Sequence, residues 1–123
     1  MEITTDASVL IAVVGNEPSR KRAIELTTGH GLVAPSSIHW EVGNALSAMV
    51  KRQRITLAQA ASCVDAYLQI PIKLVDVDLK QSLALVQQFR IYAYDAYLLV
   101  CAMNLGTPLL SPDEPVKAAA QTL

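Results

Sequence analysis

The chain has 123 residues, of which 52% are hydrophobic and 17% charged, and its formal net charge is -1. This length predicts a single domain over residues 1–123, and the apolar content excludes a disordered chain because it is enough to build a core. The small net charge excludes nucleic-acid binding by overall attraction, so any nucleic acid must be held by local basic patches or by metal.

The predicted elements begin with a strand over residues 2–5 and a helical turn over residues 8–14, which Gly15 interrupts. Asn16 is expected to cap a second helical stretch that carries Pro18 near its first turn. A strand over residues 32–34 and then a helix over residues 38–51 follow, with Ser36 or Ser37 as the cap.

The second half of the chain continues the alternation. Thr56 and Gln59 form a capping-box pattern that opens a helix to about residue 69 and makes residues 37–69 a helical hairpin. After it come, in order, a strand over residues 72–75, a helix over 78–89 capped by Asp78, a helix over 95–104 opened by Asp95, a strand over 108–110 and a final Ala-rich helix.

Short strands separated by helices imply parallel crossovers. We therefore expect an α/β fold, a three-layer α/β/α domain with a short, mostly parallel central sheet and a protruding helical hairpin. Cys63 and Cys101 lie in apolar stretches without a ligand pattern, which indicates buried free thiols. Because neither an export signal nor an apolar run long enough to span a membrane is visible, we expect a cytoplasmic protein.

Acidic side chains follow the predicted strands at the edge where parallel sheets bind ligands. Asp6 follows the first strand directly, Asp113 follows the last strand by about three residues, and Asp95 stands at a helix start. Glu41 lies about 60° from Ile38 on the helical wheel, so it borders the buried stripe of its helix. Singly, Asp95 and Asp113 are typical helix caps, and Glu41 is equally compatible with a solvated side chain.

The combination of these four carboxylates favours a metal site. Converging carboxylates without a basic neighbour repel each other, and this repulsion raises the pKa of at least one of them unless a multivalent cation lies among them. Hard oxygen ligands select Mg²⁺, with Mn²⁺ as a possible substitute, over zinc.

Four segments, in this order, carry a resemblance to a known family. They are TDASVL (Thr5 to Leu10), PSSIHWEVGNAL (Pro35 to Leu46), YDAYLL (Tyr94 to Leu99) and LLSPD (Leu109 to Asp113). With these motifs the chain resembles PIN-domain ribonucleases of the VapC type, the toxins of bacterial and archaeal toxin-antitoxin pairs. Two positions depart from the family pattern: Glu114 replaces a basic residue, which would weaken RNA contact, and Thr5 replaces an aliphatic residue.

The resemblance implies an endoribonuclease that cuts RNA with Mg²⁺, pairs into a homodimer and is blocked by a cognate VapB-like antitoxin. It implies a catalytic quartet of Asp6, Glu41, Asp95 and Asp113. Within it Asp6 and Asp95, together with Asp113, are the expected metal ligands. The neighbouring polar positions that it implies are Ser8, Asn44 and Ser111.

Basic and aromatic residues leave two interpretations open. Lys51, Arg52 and Arg54 at the hairpin turn, and Arg20, Lys21 and Arg22, are either RNA phosphate contacts or solvated surface, which is the commoner case. Trp40 either packs under the second arm of the hairpin, which we favour, or belongs to a partner surface. The tyrosines at positions 92, 94 and 97 are expected in core or rim packing rather than stacked on bases.

Competing enzyme and signalling classes lack their required residues. A receiver domain needs a phosphorylatable Asp near mid-chain, and residues 50–64 contain none. A haloacid-dehalogenase-type phosphatase needs a second Asp two positions after Asp6, where Ser8 stands. The alternative that stays open is a catalytically silent PIN-like module that binds RNA or a protein partner.

Overall fold

The computed structural model describes residues 1–123. Its elements in chain order are β1 (Glu2–Thr5), α1 (Ala7–Val14), α2 (Arg20–Thr27), β2 (Gly31–Pro35), α3 (Ile38–Lys51), α4 (Leu57–Leu68), β3 (Ile72–Val75), α5 (Leu79–Phe89), α6 (Ala93–Leu105), β4 (Leu109–Leu110) and α7 (Glu114–Thr122). None of these helices is both long and apolar enough to cross a bilayer.

The four strands form one sheet in the order β3-β2-β1-β4, and every pairing is parallel. Consecutive residues Thr4 and Thr5 of β1, and Val33 and Ala34 of β2, are fully buried. Since successive side chains of a strand point to opposite faces, both faces of the sheet are covered. The expected three-layer α/β/α fold with a parallel sheet is confirmed.

Two apolar clusters form the core. The first joins α1, α3 and α4 with β2, and its members are Ala7, Leu10, Ile11, Ala34, Ile38, Val42, Leu46, Cys63 and Tyr67. The second joins α5, α6 and α7, and its members are Leu85, Ile91, Ala96, Leu98, Leu99, Val100, Val116 and Ala119. Helix α6 contacts β1, β2, α5 and α7. Its six buried residues, Ala96 and residues 98–102, lie all around the helix, which explains why it shows no polar face.

The predicted helix starts are partly corrected. Asn16 does not cap α2: it adopts a left-handed conformation (φ 53°) in the turn after α1, and α2 begins at Arg20. Asn tolerates this conformation better than most residues, which explains its presence in the turn. Helix α6 begins two residues before Asp95, with Tyr92 at the N-cap position, so Asp95 lies in the first turn and is not the cap.

The hairpin of α3 and α4 is confirmed, with a defined turn between its arms. The amide of Gln53 donates to Val50 O and the amide of Arg54 donates to Met49 O, each over 3.0 Å, while Gln53 is left-handed (φ 59°). This pair of bonds closes the end of α3. The Thr56–Gln59 capping box, with both of its reciprocal hydrogen bonds, then opens α4 as predicted.

We expect Leu99→Ala to lower the free energy of unfolding by about 2–5 kcal/mol, because it leaves a cavity in the second cluster where Leu99 is only 2% exposed. Leu83→Ala is the matched control, since Leu83 is 58% exposed on α5 and should change stability by about 0.5 kcal/mol or less. Urea unfolding of both variants measures this. Equal losses would contradict the packing of α6 described above.

Candidate active site

Asp6 is held rigidly at the carboxyl end of β1. Its backbone amide donates to Leu110 O of the adjacent β4 over 3.1 Å, so the two strand ends lie together. Its Oδ1 accepts from the amide (2.7 Å) and hydroxyl (2.8 Å) of Ser8, and its Oδ2 accepts from the hydroxyl of Ser111 (2.6 Å). Both serines singled out from the sequence therefore orient this carboxylate.

Glu41 lies in the first turn of α3, on the wall of a cleft that Asp6 also lines. Its Oε2 accepts a hydrogen bond from the hydroxyl of Ser37 over 2.9 Å. The pKa of Glu41 is raised from 4.5 to about 7, chiefly by burial and in addition by the charges of Asp6 and Asp95, against the opposing effect of the Ser37 hydrogen bond. Glu41 is therefore half-buried beside other carboxylates, as its position next to the apolar stripe predicted.

Asp95 and Asp113 come from the starts of α6 and α7. Burial raises the pKa of Asp95, and the charges of Asp113 and Asp6 add to that effect. Asp113 caps α7, because its Oδ1 accepts from the amide of Val116 (3.1 Å). The amide of Asp113 donates to the Ser111 hydroxyl over 3.1 Å, so one serine links Asp6 with Asp113.

The four carboxylates thus act on each other electrostatically at one edge of the sheet. No three acidic, histidine or cysteine side chains form a ready cage for a metal ion, however. The donor chemistry still fits Mg²⁺, because this ion binds through one or two carboxylates and keeps several water ligands. It also relieves the repulsion that adds to burial in raising the pKa values of Glu41 and Asp95. The metal itself stays a prediction.

Three of the four carboxylates line an open cleft of about 490 Å³. Its walls carry Asp6, Ser8, Glu41, Asn44 and Asp95 of the predicted site, together with Glu17, Arg52, Arg54, Tyr92 and Tyr94. Asp113 is not on its walls. It is linked to the site by its charge, which acts on Asp95, and by the hydrogen bond from its amide to the Ser111 hydroxyl. Lys51, grouped with the two arginines in the sequence, also lies outside these walls.

Several side chains differ in exposure or contacts from what the sequence predicted. Trp40 is 70% exposed, so the favoured interpretation that it packs under the hairpin is wrong. Tyr92 and Tyr94 line the cleft, and Tyr92 is 84% exposed rather than packed. The contact of Ser37 with Glu41 was missed, although their spacing of four residues on a helix was a usable signal.

The basic run of Arg20, Lys21 and Arg22 does not line this cleft. Arg22 lines a separate groove and lies 3.7 Å from Glu25, with both side chains largely exposed. Glu114, the departure noted from the sequence, is exposed and lies 3.4 Å from Lys117. Thr5, the other departure, is fully buried and its hydroxyl donates to Asp6 O over 3.3 Å.

The family model that describes the PIN domain matches residues 3–121. This chain belongs to the PIN domain family. The family resemblance inferred from the four motifs is thereby confirmed. No curated protein matches the chain significantly in sequence.

Two solved structures share the fold of this PIN domain. PAE2754 from Pyrobaculum aerophilum superposes with a TM-score of 0.74 at 22% identity, covering 99% of this chain and 85% of that chain. VapBC2 from Rickettsia felis, solved bound to a DNA fragment from their promoter, gives a TM-score of 0.67 at 15% identity and covers 97% of this chain and 93% of that chain. At these identities the likeness concerns the fold.

We expect Glu41→Gln to stabilise the metal-free protein at about pH 8 by about 1 kcal/mol, a figure discounted for solvent screening at a half-buried side chain. Because the folded pKa is raised, the contribution of Glu41 to stability is fully present below its unfolded pKa of 4.5 and is lost as the pH rises to about 7. The gain over wild type should therefore shrink towards acidic pH.

Urea unfolding in EDTA at about pH 5 and about pH 8 measures this difference. Glu2→Gln is the control, because Glu2 is exposed on β1. A Glu41→Gln variant that is no more stable than wild type at about pH 8 would contradict the burial of Glu41 beside other carboxylates.

Proposed function

We propose that this PIN domain is a Mg²⁺-dependent endoribonuclease of the VapC type, the toxin of a toxin-antitoxin pair. The observation that carries the proposal is the convergence of Asp6, Glu41, Asp95 and Asp113 from four separate parts of the chain. Burial and, after it, their mutual repulsion raise the pKa values of Glu41 and Asp95, and a cation relieves the repulsion. Membership of the PIN domain family supports the assignment.

In this proposal Asp6 and Asp95 are the direct Mg²⁺ ligands, with Asp113 beside them. Ser8 and Ser111 fix the plane of the Asp6 carboxylate, so that its oxygens are oriented before metal or substrate arrives. Bound Mg²⁺ supplies positive charge to the scissile phosphate and makes water more acidic.

Glu41 is suited to orient the attacking water. Its Oε2 accepts the hydrogen bond from the Ser37 hydroxyl, Oε1 accepts none from the protein, and Glu41 lines the cleft. A glutamate carboxylate in this position can take a proton from water. Asn44, three residues further along α3, lines the same wall and can donate a hydrogen bond to the substrate.

The arginines in the cleft support a phosphodiester substrate. Arg52 and Arg54 line the cleft and form no ion pair with its carboxylates, so their guanidinium groups are available to phosphate. A chain with a net charge of -1 needs such a local patch to bind nucleic acid.

The proposed partners are a VapB-like antitoxin and a second copy of the chain. The fold shared with VapBC2 from Rickettsia felis supports an antitoxin. Exposed apolar side chains on one face of α4, which are available to a partner, support pairing; they are Leu57, Val64 and Leu68.

Asp6→Asn and Asp95→Asn should each reduce RNA cleavage by roughly a hundredfold or more, since each removes a ligand charge at the metal site. Cleavage of a mixed RNA pool by the purified protein, with Mg²⁺ and with excess EDTA, measures the effect. Asp65→Asn is the control, because Asp65 is exposed on α4 outside the cleft. Metal-independent cutting, or full activity in either variant, would contradict the assignment.

The same assay distinguishes a nuclease from a catalytically silent PIN-like module. RNA binding by wild type without any cleavage in Mg²⁺ would favour a PIN-like binding module. Loss of cleavage in Asp6→Asn with an unchanged circular dichroism spectrum would favour the nuclease.

Replacing Arg52 and Arg54 together by Gln should weaken RNA binding and make its salt dependence shallower by roughly 0.7–0.9 per lost phosphate contact in log K against log salt. Lys21→Gln with Lys73→Gln is the matched control, because it removes the same charge outside the cleft. Fluorescence anisotropy over a salt series measures both slopes. Equal changes in the two double variants would show that overall charge, not the cleft, attracts RNA.

A further inference from the structure

The outer edge of β4 leaves backbone hydrogen-bonding groups free. β4 is the last strand in the order β3-β2-β1-β4, so β1 pairs with only one of its sides. On that side Pro108 O accepts from the amide of Thr4. Leu110 O accepts from the amide of Asp6. Because the backbone groups of successive strand residues point to opposite sides, Leu109 directs its N–H and C=O outward, where they can pair with an added strand.

This edge lacks the usual protection against strand addition. At the opposite edge of the sheet, β3 carries the exposed Lys73, and such a lysine hinders pairing. Residues 107–110 contain no charged side chain. Pro108 is one of the residues that face β1, so its missing N–H is lost from the pairing with β1 and not from the outer edge.

Two apolar clefts flank β4. The first, the α2 cleft, has a volume of about 410 Å³ and is lined among others by Val9, Ala12, Leu26 and Leu110. The second, the α7 cleft, has a volume of about 340 Å³ and is lined among others by Leu99, Met103 and Ala120. Leu109 lines both clefts. They belong to the two helical layers on opposite faces of the sheet, so an added strand, whose side chains alternate between the faces, would fill both.

The two clefts differ in charge. The only charged residues that line the α2 cleft are Arg22 and Lys117, whereas no charged side chain lines the α7 cleft. Arg22 lies 3.7 Å from Glu25 and Lys117 lies 3.4 Å from Glu114, and both pairs are largely exposed. Such surface pairs are weak, so both cations can turn to another carboxylate. An occupant that is complementary to both clefts is apolar on one face and carries an acidic side chain on the other.

We propose that the outer edge of β4 binds an extended segment of a partner protein as a fifth strand. Backbone bonds to Leu109 fix the segment, its apolar side chains enter both clefts, and an acidic side chain faces Arg22 and Lys117. A second copy of this domain fits less well, because its four strands all lie in its own sheet and its other edge carries Lys73.

The first experiment titrates the full chain into a fluorescein-labelled peptide, Lys-Lys-Val-Ile-Glu-Val-Val-Lys-Lys, and follows its fluorescence anisotropy. As a strand, this peptide presents its glutamate on one face and only apolar residues on the other face of its central segment. Two further peptides carry N-methyl groups on alternate amides of that segment. One of them should bind with a Kd roughly tenfold or more higher, because the methyl groups replace the donors that face β4. The other should stay within about twofold, since its methylated amides face solvent.

The second experiment compares Ala120→Glu with Ala118→Glu. Ala120 lines the α7 cleft, so a glutamate there should raise the Kd of the unmethylated peptide roughly tenfold or more by placing a charge where an apolar side chain binds. Ala118 is exposed on the same helix outside both clefts, and its variant adds the same charge. Its Kd should equal that of wild type. Thermal melts of both variants verify that α7 stays folded.

The outcomes decide between an added strand and the other occupants of this edge. No binding to wild type at about 1 mM peptide would overturn the proposal, as would equal affinity of the two methylated peptides, which indicates apolar adsorption without backbone pairing. Sedimentation velocity of the chain alone tests the second copy. Self-association that Ala120→Glu abolishes and the peptide does not compete with would assign the edge to a second copy and overturn the proposal.

Discussion

Like charges gathered at the carboxyl edge of a parallel sheet are the constraint on which the rest of this structure depends. Because β1 and β4 are adjacent and parallel, they end at the same edge, and the amide of Asp6 bonds directly to the end of β4. Asp95 and Glu41 reach this edge from the starts of two helices. The repulsion between them is reduced by hydroxyl donors from Ser8, Ser37 and Ser111 and by the raised affinity of Glu41 for a proton.

The supporting layers hold these charges in place. Asp95 is carried by α6, the helix buried against both central strands, and Glu41 by α3, whose buried side chains anchor it in the first core cluster. Displacing either carboxylate would therefore require repacking a core, which costs more than the repulsion between partly solvated charges. The fold can for this reason keep an arrangement of charges that is unfavourable without a cation.

The acidic and the basic side chains of the cleft come from different elements of the fold. Asp6 comes from the sheet edge, Glu41 and Asn44 from α3, and Asp95 from the start of α6. Arg52 and Arg54 come from the turn that ends α3. Opposite charges thus face one cleft without neutralising each other in ion pairs. In a protein whose net charge is close to zero, this local separation supports the proposal that the cleft takes a phosphodiester together with a metal ion.

The sequence by itself determined the order and type of the elements, the parallel sheet and the acidic quartet. These follow from local signals, such as the Thr56–Gln59 capping box and the position of Asp6 directly after a strand. Tertiary structure alone decided that Ser111 joins Asp6 to Asp113, that Lys51 lies outside the cleft while Arg52 and Arg54 line it, and that Trp40 and Tyr92 are exposed. The reason is physical: capping and periodicity depend on neighbours within a few residues, whereas exposure and charge contacts depend on which distant segments meet, and no local pattern encodes that distance.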